Sequence, residues 1–109
     1  MLIMKNVAKI CDFGCSVFSP LLRDTYCGTP LYSSPEIVQK QQYDSKVDIW
    51  NIGILTYELL YGKPPYEIRS SRDLEQIISA GIKFSKTKPA TLEIKDFILR
   101  CLQKNPKER

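Results

Sequence analysis

The sequence predicts a mainly α-helical fold with one short strand, one long irregular loop and about four helices. Three observations support this prediction. Residues 7–10, flanked by polar residues, have the pattern of a short strand. Residues 15–34 follow neither a strand period nor a helix period. The rest of the chain divides into apolar segments with helical start and stop residues. A chain of 109 residues has room for one small domain.

The first half of the chain is predicted to be mostly irregular. The strand leads into a turn at Asp12-Phe13-Gly14, where the glycine allows the chain to bend. Residues 15–34 are rich in Ser, Pro, Gly and Thr, and so long a loop in a small domain is usually functional or disordered. A short helix is predicted over 35–38, because Pro35 stands at a first-turn position that tolerates proline.

The most informative helix is predicted over 45–61. Ser45 can cap it, Asp48 follows three residues later as in a capping box, and Gly62 ends it. Apolar residues occupy almost every face between these ends, which predicts a helix surrounded by protein. A buried central helix is unusual in so short a chain, because little else is available to surround it.

Two later helices are predicted, over 71–80 and 91–104. Gly81 ends the first helix, Thr91 caps the second, and Asn105-Pro106 ends the second. The second helix carries one apolar stripe, which consists of Ile94, Phe97, Ile98, Cys101 and Leu102.

Composition and charge are those of an ordinary globular protein. Hydrophobic residues make up 43% of the chain and charged residues 26%, which excludes a wholly disordered protein. The formal net charge is +4, and the excess lies in residues 81–109, which carry eight basic and three acidic groups. Without interleaved aromatic residues, such a tail is typical of a solvated helix face. We therefore expect no nucleic-acid partner and no membrane partner.

The cysteine and histidine content narrows the chemistry further. The chain has four cysteines and no histidine, which excludes Cys2His2 zinc sites and mechanisms that need an imidazole. No pair of cysteines has the spacing of a zinc ribbon or a redox motif. We therefore expect free thiols in a reducing, intracellular compartment, either cytoplasm or nucleus. The cysteines are Cys11, Cys15, Cys27 and Cys101.

The Asp12-Phe13-Gly14 turn has the chemistry of a magnesium site. It offers a carboxylate on a turn, a glycine at the bend and an apolar side chain that can anchor the loop. An Asx-type turn after a strand accounts for the same triplet without any ligand. Alone, the triplet assigns no function.

Five motifs become informative through their order. In that order they resemble the C-terminal lobe of eukaryotic protein kinases from the magnesium-binding loop onward. The resemblance implies that residues 1–109 are a partial kinase domain, with an activation segment over 12–36 and a buried central helix over 45–61. The motifs are Asp12-Phe13-Gly14, Ser34-Pro35-Glu36, Asp48-Ile49-Trp50-Asn51-Ile52-Gly53, Gly62-Lys63-Pro64-Pro65-Tyr66 and Asn105-Pro106-Lys107-Glu108-Arg109.

Within this family the sequence is most similar to the Aurora kinases, and next to the cyclic-AMP-dependent and related basophilic kinases. The similarity lies in residues 9–17, 23–29, 46–50 and 57–66. It implies a serine/threonine kinase that transfers the γ-phosphate of ATP to protein substrates, with ATP and Mg²⁺ as cofactors. It also implies an activating or regulatory protein partner and, by Aurora analogy, a location at the spindle or centrosome.

The resemblance assigns roles to the activation segment. Asp12 would bind the magnesium that bridges the ATP phosphates, while Phe13 and Gly14 would shape its loop. Thr25 aligns with the activating phosphorylation site, where a phosphate can order the loop against arginines. Thr29 aligns with the substrate-positioning threonine of Ser/Thr-directed kinases.

Four further residues receive structural or substrate roles from the same resemblance. Glu36 and Arg109 would form a buried ion pair. Asp48 would hold the backbone of the catalytic loop, although an acid at a helix N-terminus also complements the helix dipole. Glu58 matches the acid that receives a substrate arginine in basophilic kinases, and the alternative is an ordinary carboxylate on the helix surface.

Three residues depart from the family pattern. Leu31 stands where basophilic kinases often have an acid, which weakens the expectation of basic substrates. Ser33 and Ser34 replace a larger apolar residue and an alanine, which makes the pocket for the residue after the target polar.

Motifs for the rest of the catalytic machinery do not occur in these 109 residues. Neither an HRDxxxxN catalytic loop nor a GxGxxG loop is found, so no catalytic residue is assigned. One hypothesis is that the chain is a piece of an active kinase, whose complete domain binds ATP and Mg²⁺. The alternative is a non-catalytic remnant that acts as a binding module or decoy. Under either hypothesis we expect the 109 residues alone to be inactive.

Overall fold

A hairpin, three α-helices and a final 3₁₀ helix form the described part of the chain. The structure is a computed structural model that describes residues 2–4, 6–18, 22, 32–66, 73, 79 and 81–109. The strands are β1 (Leu2–Met4) and β2 (Val7–Lys9). The helices are α1 (Pro35–Val38), α2 (Lys46–Tyr61), α3 (Leu92–Cys101) and the 3₁₀ helix Pro106–Glu108.

The predicted strand has a partner that the sequence pattern did not indicate. β1 and β2 pair antiparallel, with Leu2 opposite Lys9 and Met4 opposite Val7. The turn between them contains Asn6 at a φ of 62°, a left-handed conformation that asparagine tolerates better than most residues. The strand predicted over 7–10 is present as β2, and β1 is an additional strand that the sequence analysis did not predict.

The start of α2 differs from the predicted capping box. Ser45 has helical dihedral angles, with φ −62° and ψ −10°, and its side chain makes no capping hydrogen bond. Asp44 supplies the side-chain acceptor instead, since the backbone N–H of Lys46 donates to its Oδ1 at 2.8 Å. A residue already in the helical conformation cannot direct its hydroxyl at the next free N–H groups, so the cap moves one residue upstream.

The end of α2 agrees with the prediction. Gly62 has a φ of 76°, and its N–H donates to the carbonyl oxygen of Glu58 at 2.7 Å. This left-handed conformation favours glycine, which carries no Cβ to clash.

The core lies between α2 and α3. Trp50, Ile54 and Tyr57 of α2 pack with Ile98 and Leu102 from the end of the chain. The opposite side of α2 is open in the part of the chain that the structure describes, where Ile52 is 45% exposed and Leu59 is 69% exposed. The described structure therefore covers one side of a helix that the sequence predicts to be surrounded.

Gly53 allows the two long helices to approach closely. A Cβ at this position would lie 2.7 Å from Cβ of Cys101 and 2.8 Å from Cγ of Leu102. These distances are shorter than side-chain contacts allow, so no larger residue fits without moving α3.

α3 begins as predicted and ends earlier. Thr91 caps it by accepting a hydrogen bond from the N–H of Ile94 at 3.4 Å. The last helical residue is Cys101, three residues before the predicted end. Asn105, predicted to stop the helix, instead caps the 3₁₀ helix through a 3.1 Å hydrogen bond from the N–H of Lys107.

The predicted helix over 71–80 lies almost wholly outside the described residues. Of this range the structure describes Asp73 and Ser79, and both are helical. The described residues therefore contain three α-helices rather than four. Among them, no helix is both long and apolar enough to cross a bilayer.

Candidate functional site

The Asp12 turn is held by local hydrogen bonds. Asp12 has a φ of 65°, a left-handed conformation that is uncommon outside glycine. Its Oδ1 accepts a hydrogen bond from the N–H of Gly14 at 3.4 Å. The N–H and the Oγ of Ser16 donate to the carbonyl oxygen of Phe13, at 3.0 and 2.7 Å. This is the Asx-type turn expected from the triplet, and it presents the carboxylate on the surface.

An exposed carboxylate on a tight turn fits part of a magnesium site. Mg²⁺ in nucleotide sites is usually held by one or two protein carboxylates, with phosphate oxygens and waters as the other ligands. The described residues contain no cluster of three or more Asp, Glu, His or Cys side chains that would hold a metal by themselves. Asp12 therefore suits a metal that arrives with a phosphate ligand, and it does not suit an all-protein metal site.

The side chains beside Asp12 are open to solvent. Phe13, for which the resemblance implies packing beneath Asp12, is 66% exposed. Cys15 is exposed and Cys11 is half-buried.

Two predicted residues of the activation segment, Thr25 and Thr29, lie outside the described residues. The description resumes at Tyr32, two residues before the Ser34-Pro35-Glu36 motif. The roles of Thr25 and Thr29 therefore remain predictions from the sequence.

Glu36 and Arg109 meet as the resemblance implies. Nη2 of Arg109 donates to Oε1 of Glu36 at 2.5 Å, and the two side chains are 0% and 3% exposed for Arg109 and Glu36 respectively. α1 brings Glu36 to this position as a first-turn residue behind Pro35, while the 3₁₀ helix brings Arg109 from the other end of the chain. A charge so thoroughly desolvated is tolerated only when it is paired.

α2 completes the surroundings of this pair. Nη1 of Arg109 donates to the carbonyl oxygen of Lys46 at 3.3 Å, and Nζ of Lys46 donates to the backbone oxygen of Arg109 at 2.5 Å. The guanidinium carbon lies 5.4 Å from the ring centroid of Trp50, a cation–π distance. Arg109 thus ties the start of α2 to α1.

The ion pair is joined by one hydrogen bond only. Oε2 of Glu36 and Nε of Arg109 are buried and have no hydrogen-bond partner within the described structure. Oγ of Ser34, which replaces the family's alanine, is also buried without a partner there. Ser34, the polar departure from the family pattern, is thus buried in the protein interior.

Glu58 is engaged by a tyrosine. The hydroxyl of Tyr32 donates to Oε2 of Glu58 at 2.7 Å, in a half-buried position. This hydrogen bond, followed by burial and the nearby negative charge, raises the pKa of Tyr32, since each disfavours the phenolate. The contact links the end of the predicted activation segment to the last turn of α2.

Asp48 lies in the first turn of α2 and its side chain is exposed. This position complements the positive end of the helix dipole, which is one of the two interpretations that the sequence leaves open. It is not a buried charge in this structure.

Several contacts in this region were not predicted from the sequence. Tyr32 lies 26 residues from Glu58, and Lys46 lies 63 residues from Arg109, so no local pattern indicates either contact. Gly53 does carry a signal, because a glycine inside an apolar helix often marks a close approach of another backbone.

Comparison with known proteins identifies a family. The family model "Protein kinase domain" matches residues 1–109. The serine/threonine-protein kinase atg1 of Aspergillus oryzae is 42% identical over 106 residues, which cover 93% of this chain and 11% of that protein. The serine/threonine-protein kinase apg-1 of Neurospora crassa and the serine/threonine-protein kinase ATG1 of Gibberella zeae are each 40% identical over the same share. The chain therefore spans about a tenth of the length of these curated relatives.

These relatives do not support the Aurora-like assignment made from the sequence. Their names are atg1, apg-1 and ATG1, and none of the three is an Aurora kinase. The broader prediction, that the chain is related to protein kinases, is confirmed, since the family match covers residues 1–109. The chain belongs to the protein kinase domain family.

Proposed function

We propose that this chain is part of a serine/threonine protein kinase, similar to the atg1 kinases rather than to the Aurora kinases. The complete enzyme transfers the γ-phosphate of ATP to serine or threonine side chains of protein substrates. The names of the relatives support the Ser/Thr assignment, and their identities of 40–42% over almost the whole chain support the atg1-like one.

The buried pair of Glu36 and Arg109 is the observation that carries this proposal. It joins the end of the predicted activation segment to a residue 73 positions later, and it lies against Trp50 of the central helix. A solvent-exposed pair would contribute little, whereas this one is costly to separate. The pair therefore fixes the C-terminal end of the predicted activation segment. A kinase needs this segment to be fixed, because it must position a peptide substrate.

In this proposal Asp12 binds Mg²⁺ together with the ATP phosphates. When bound, Mg²⁺ neutralises charge that develops on the transferred phosphoryl group. The turn around Gly14 and Ser16 holds the Asp12 backbone, so that the carboxylate is already displayed before the nucleotide arrives.

Thr25 and Thr29 keep their predicted roles as proposals. A phosphate on Thr25 adds about −1.5 to −2 charges and can order the loop by pairing with arginines. Thr29 positions the substrate hydroxyl. Both assignments rest on the resemblance and on the order of motifs in the sequence.

Glu58 is proposed to face the substrate peptide. Its hydrogen bond to Tyr32 supports this proposal, because Tyr32 belongs to the predicted activation segment that would border the substrate. A substrate arginine would share Glu58 with the Tyr32 hydroxyl. Leu31 lowers the expected preference for basic substrates, since an acid is missing there.

The partners and location also remain proposals. We expect protein substrates and an activating or regulatory protein, and neither nucleic acid nor membrane. The proposed intracellular location rests on the sequence, in which no pair of the four cysteines has the spacing of a zinc ribbon or a redox motif.

Transfer of labelled phosphate from ATP to a generic protein substrate tests the proposal. The assay compares the 109-residue chain with the longest native product that contains it. We expect activity in the longer product and none in the 109 residues, which lack both the HRDxxxxN and GxGxxG motifs. The longer product with Asp12→Asn should lose activity on the order of 10²-fold or more, since charge stabilisation at the phosphate is lost.

The matched control is Asp96→Asn, which neutralises an exposed aspartate of α3. It should leave phosphate transfer unchanged. A longer product that transfers no phosphate would refute the proposal, as would an Asp12→Asn variant with full activity.

A further inference from the structure

A cluster of exposed lysines precedes α3. Lys83, Lys86 and Lys88 lie within six residues of one another and all three side chains are exposed. No Asp or Glu occurs between Gly81 and Leu92. We name residues 82–90 the lysine loop. The sequence analysis placed this positive charge on a solvated helix face, but the structure places these three lysines on a loop.

Contacts with α2 anchor the lysine loop to the core. The hydroxyl of Tyr57 donates to the carbonyl oxygen of Lys83 at 2.7 Å. The ring of Phe84 lies 6.0 Å from that of Tyr57 and 6.3 Å from that of Tyr61, between centroids. The backbone that carries the lysines is therefore attached to the central helix.

Hydroxyl groups and a fourth cation complete the surface. Oγ of Ser85 and Oγ1 of Thr87 are 2.9 Å apart, and the N–H of Thr87 donates to Oγ of Ser85 at 3.2 Å. Nζ of Lys95, on α3, lies 5.8 Å from the ring centroid of Phe84. A ligand that meets an ordered loop loses less conformational entropy than one that must order it.

The charges of the lysine loop are not neutralised within the described structure. None of its three lysines forms an ion pair there, and the two acids that follow the loop most closely, Glu93 and Asp96, have other partners. Asp96 pairs with Arg100 at 2.8 Å. A backbone hydrogen bond and a hydrogen bond with Thr91 lower the pKa of Glu93. The Glu93 carboxylate is therefore hydrogen-bonded at the start of α3. Unpaired like charges in one place destabilise a fold unless a partner neutralises them.

We propose that the lysine loop and Lys95 bind an acidic peptide segment of a protein partner. A membrane is disfavoured, because three of the four lysines lie on a loop, whereas basic clusters that recruit anionic lipid typically lie beside a transmembrane helix or on an amphipathic helix. A nucleic acid is disfavoured, because Phe84, the aromatic residue of the loop, packs against the core and under Lys95 rather than being free to stack on bases. The surface is independent of the proposed phosphotransfer.

Fluorescence anisotropy with a labelled peptide of alternating glutamate and glycine measures this binding on the 109-residue chain. The triple variant Lys83→Gln, Lys86→Gln, Lys88→Gln should weaken binding roughly tenfold, from three exposed charge pairs. The control triple variant Lys9→Gln, Lys104→Gln, Lys107→Gln removes the same charge from exposed positions elsewhere, and should change binding less than about twofold. The conservative variant with arginine at 83, 86 and 88 should bind like the original chain.

Three results would overturn the proposal. The first is equal weakening by the two glutamine triples, which would show that net charge alone attracts the peptide. The second is equal binding of a peptide with glutamine in place of glutamate. The third is loop-dependent binding to phosphatidylserine vesicles without binding to the acidic peptide, which would assign the surface to lipid. Phosphate transfer is not part of this test, so its outcome does not depend on the proposed function.

Discussion

Arg109 reaches back across 73 positions to donate to Glu36 at 2.5 Å, and neither side chain is more than 3% exposed. The contact connects the short helix α1 to the last described turn of the chain. Because Lys46 and Trp50 also contact Arg109, this one side chain joins three elements that are distant in sequence.

Removing Arg109 should strongly destabilise the fold. In an Arg109→Ala variant Glu36 would remain buried without its partner, and we expect the free energy of unfolding to fall by about 3–5 kcal/mol. Urea denaturation followed by circular dichroism measures this. The control is Arg100→Ala, whose ion pair with Asp96 is 78% and 60% exposed and should contribute less than about 1 kcal/mol. Equal losses in the two variants would show that burial of the Glu36 pair has no energetic consequence.

Gly53 should not tolerate a methyl group. The Cβ of a Gly53→Ala variant would lie 2.7 Å from Cβ of Cys101, so α3 must shift, at a cost of about 1–3 kcal/mol. The intrinsic helix preference of alanine over glycine opposes this by up to about 1 kcal/mol. Gly81→Ala is the matched control, because no atom of the described residues lies within 4 Å of a Cβ there. Thermal unfolding of both variants tests the prediction, which fails if Gly53→Ala is the more stable of the two.

The two candidate caps of α2 can be separated by alanine substitution. Asp44 accepts a hydrogen bond from Lys46, whereas the Ser45 side chain accepts none at the helix start. We therefore expect Asp44→Ala to lower the free energy of unfolding by about 1 kcal/mol and Ser45→Ala to change it by less than about 0.5 kcal/mol. Denaturant titration of the two variants gives the comparison. A larger loss for Ser45→Ala would restore the capping box predicted from the sequence.

Tyr66 should make stability fall at high pH. Burial raises the pKa of Tyr66 from 10.0 to about 12. In the unfolded chain the phenol ionises at the lower value, so its contribution to stability is complete below pH 10 and is lost as pH rises towards 12. The slope from this residue is at most about 1.4 kcal/mol per pH unit. Tyr66→Phe should flatten the pH dependence of unfolding in that interval, and an unchanged slope would contradict the assignment.

Part of the fold followed from local patterns. The end of α2 at Gly62 and the cap of α3 at Thr91 were predictable, because both depend on residues within one helical turn. The second strand, the true cap of α2 and the end of α3 were not. Each of these depends on backbone angles or on a partner strand that hydrophobic patterning does not specify.

The candidate site was also predictable only in part. The family resemblance implied the pair of Glu36 and Arg109, and the Asp12-Phe13-Gly14 pattern indicated a turn; in the structure these two side chains are in contact and Asp12 lies on an Asx-type turn. The hydrogen bond between Tyr32 and Glu58 and the anchoring of the lysine loop by Tyr57 were not predictable, since these partners lie 26 residues apart.

The amino-acid sequence by itself determined the family and the α2 helix. Residue types and their order carry that information without reference to distance. Only the tertiary structure decided which side of α2 is covered, that Asp48 is exposed, and that Lys83, Lys86 and Lys88 share an anchored loop. The physical reason is that burial and charge pairing depend on contacts between distant segments, which local patterns do not encode.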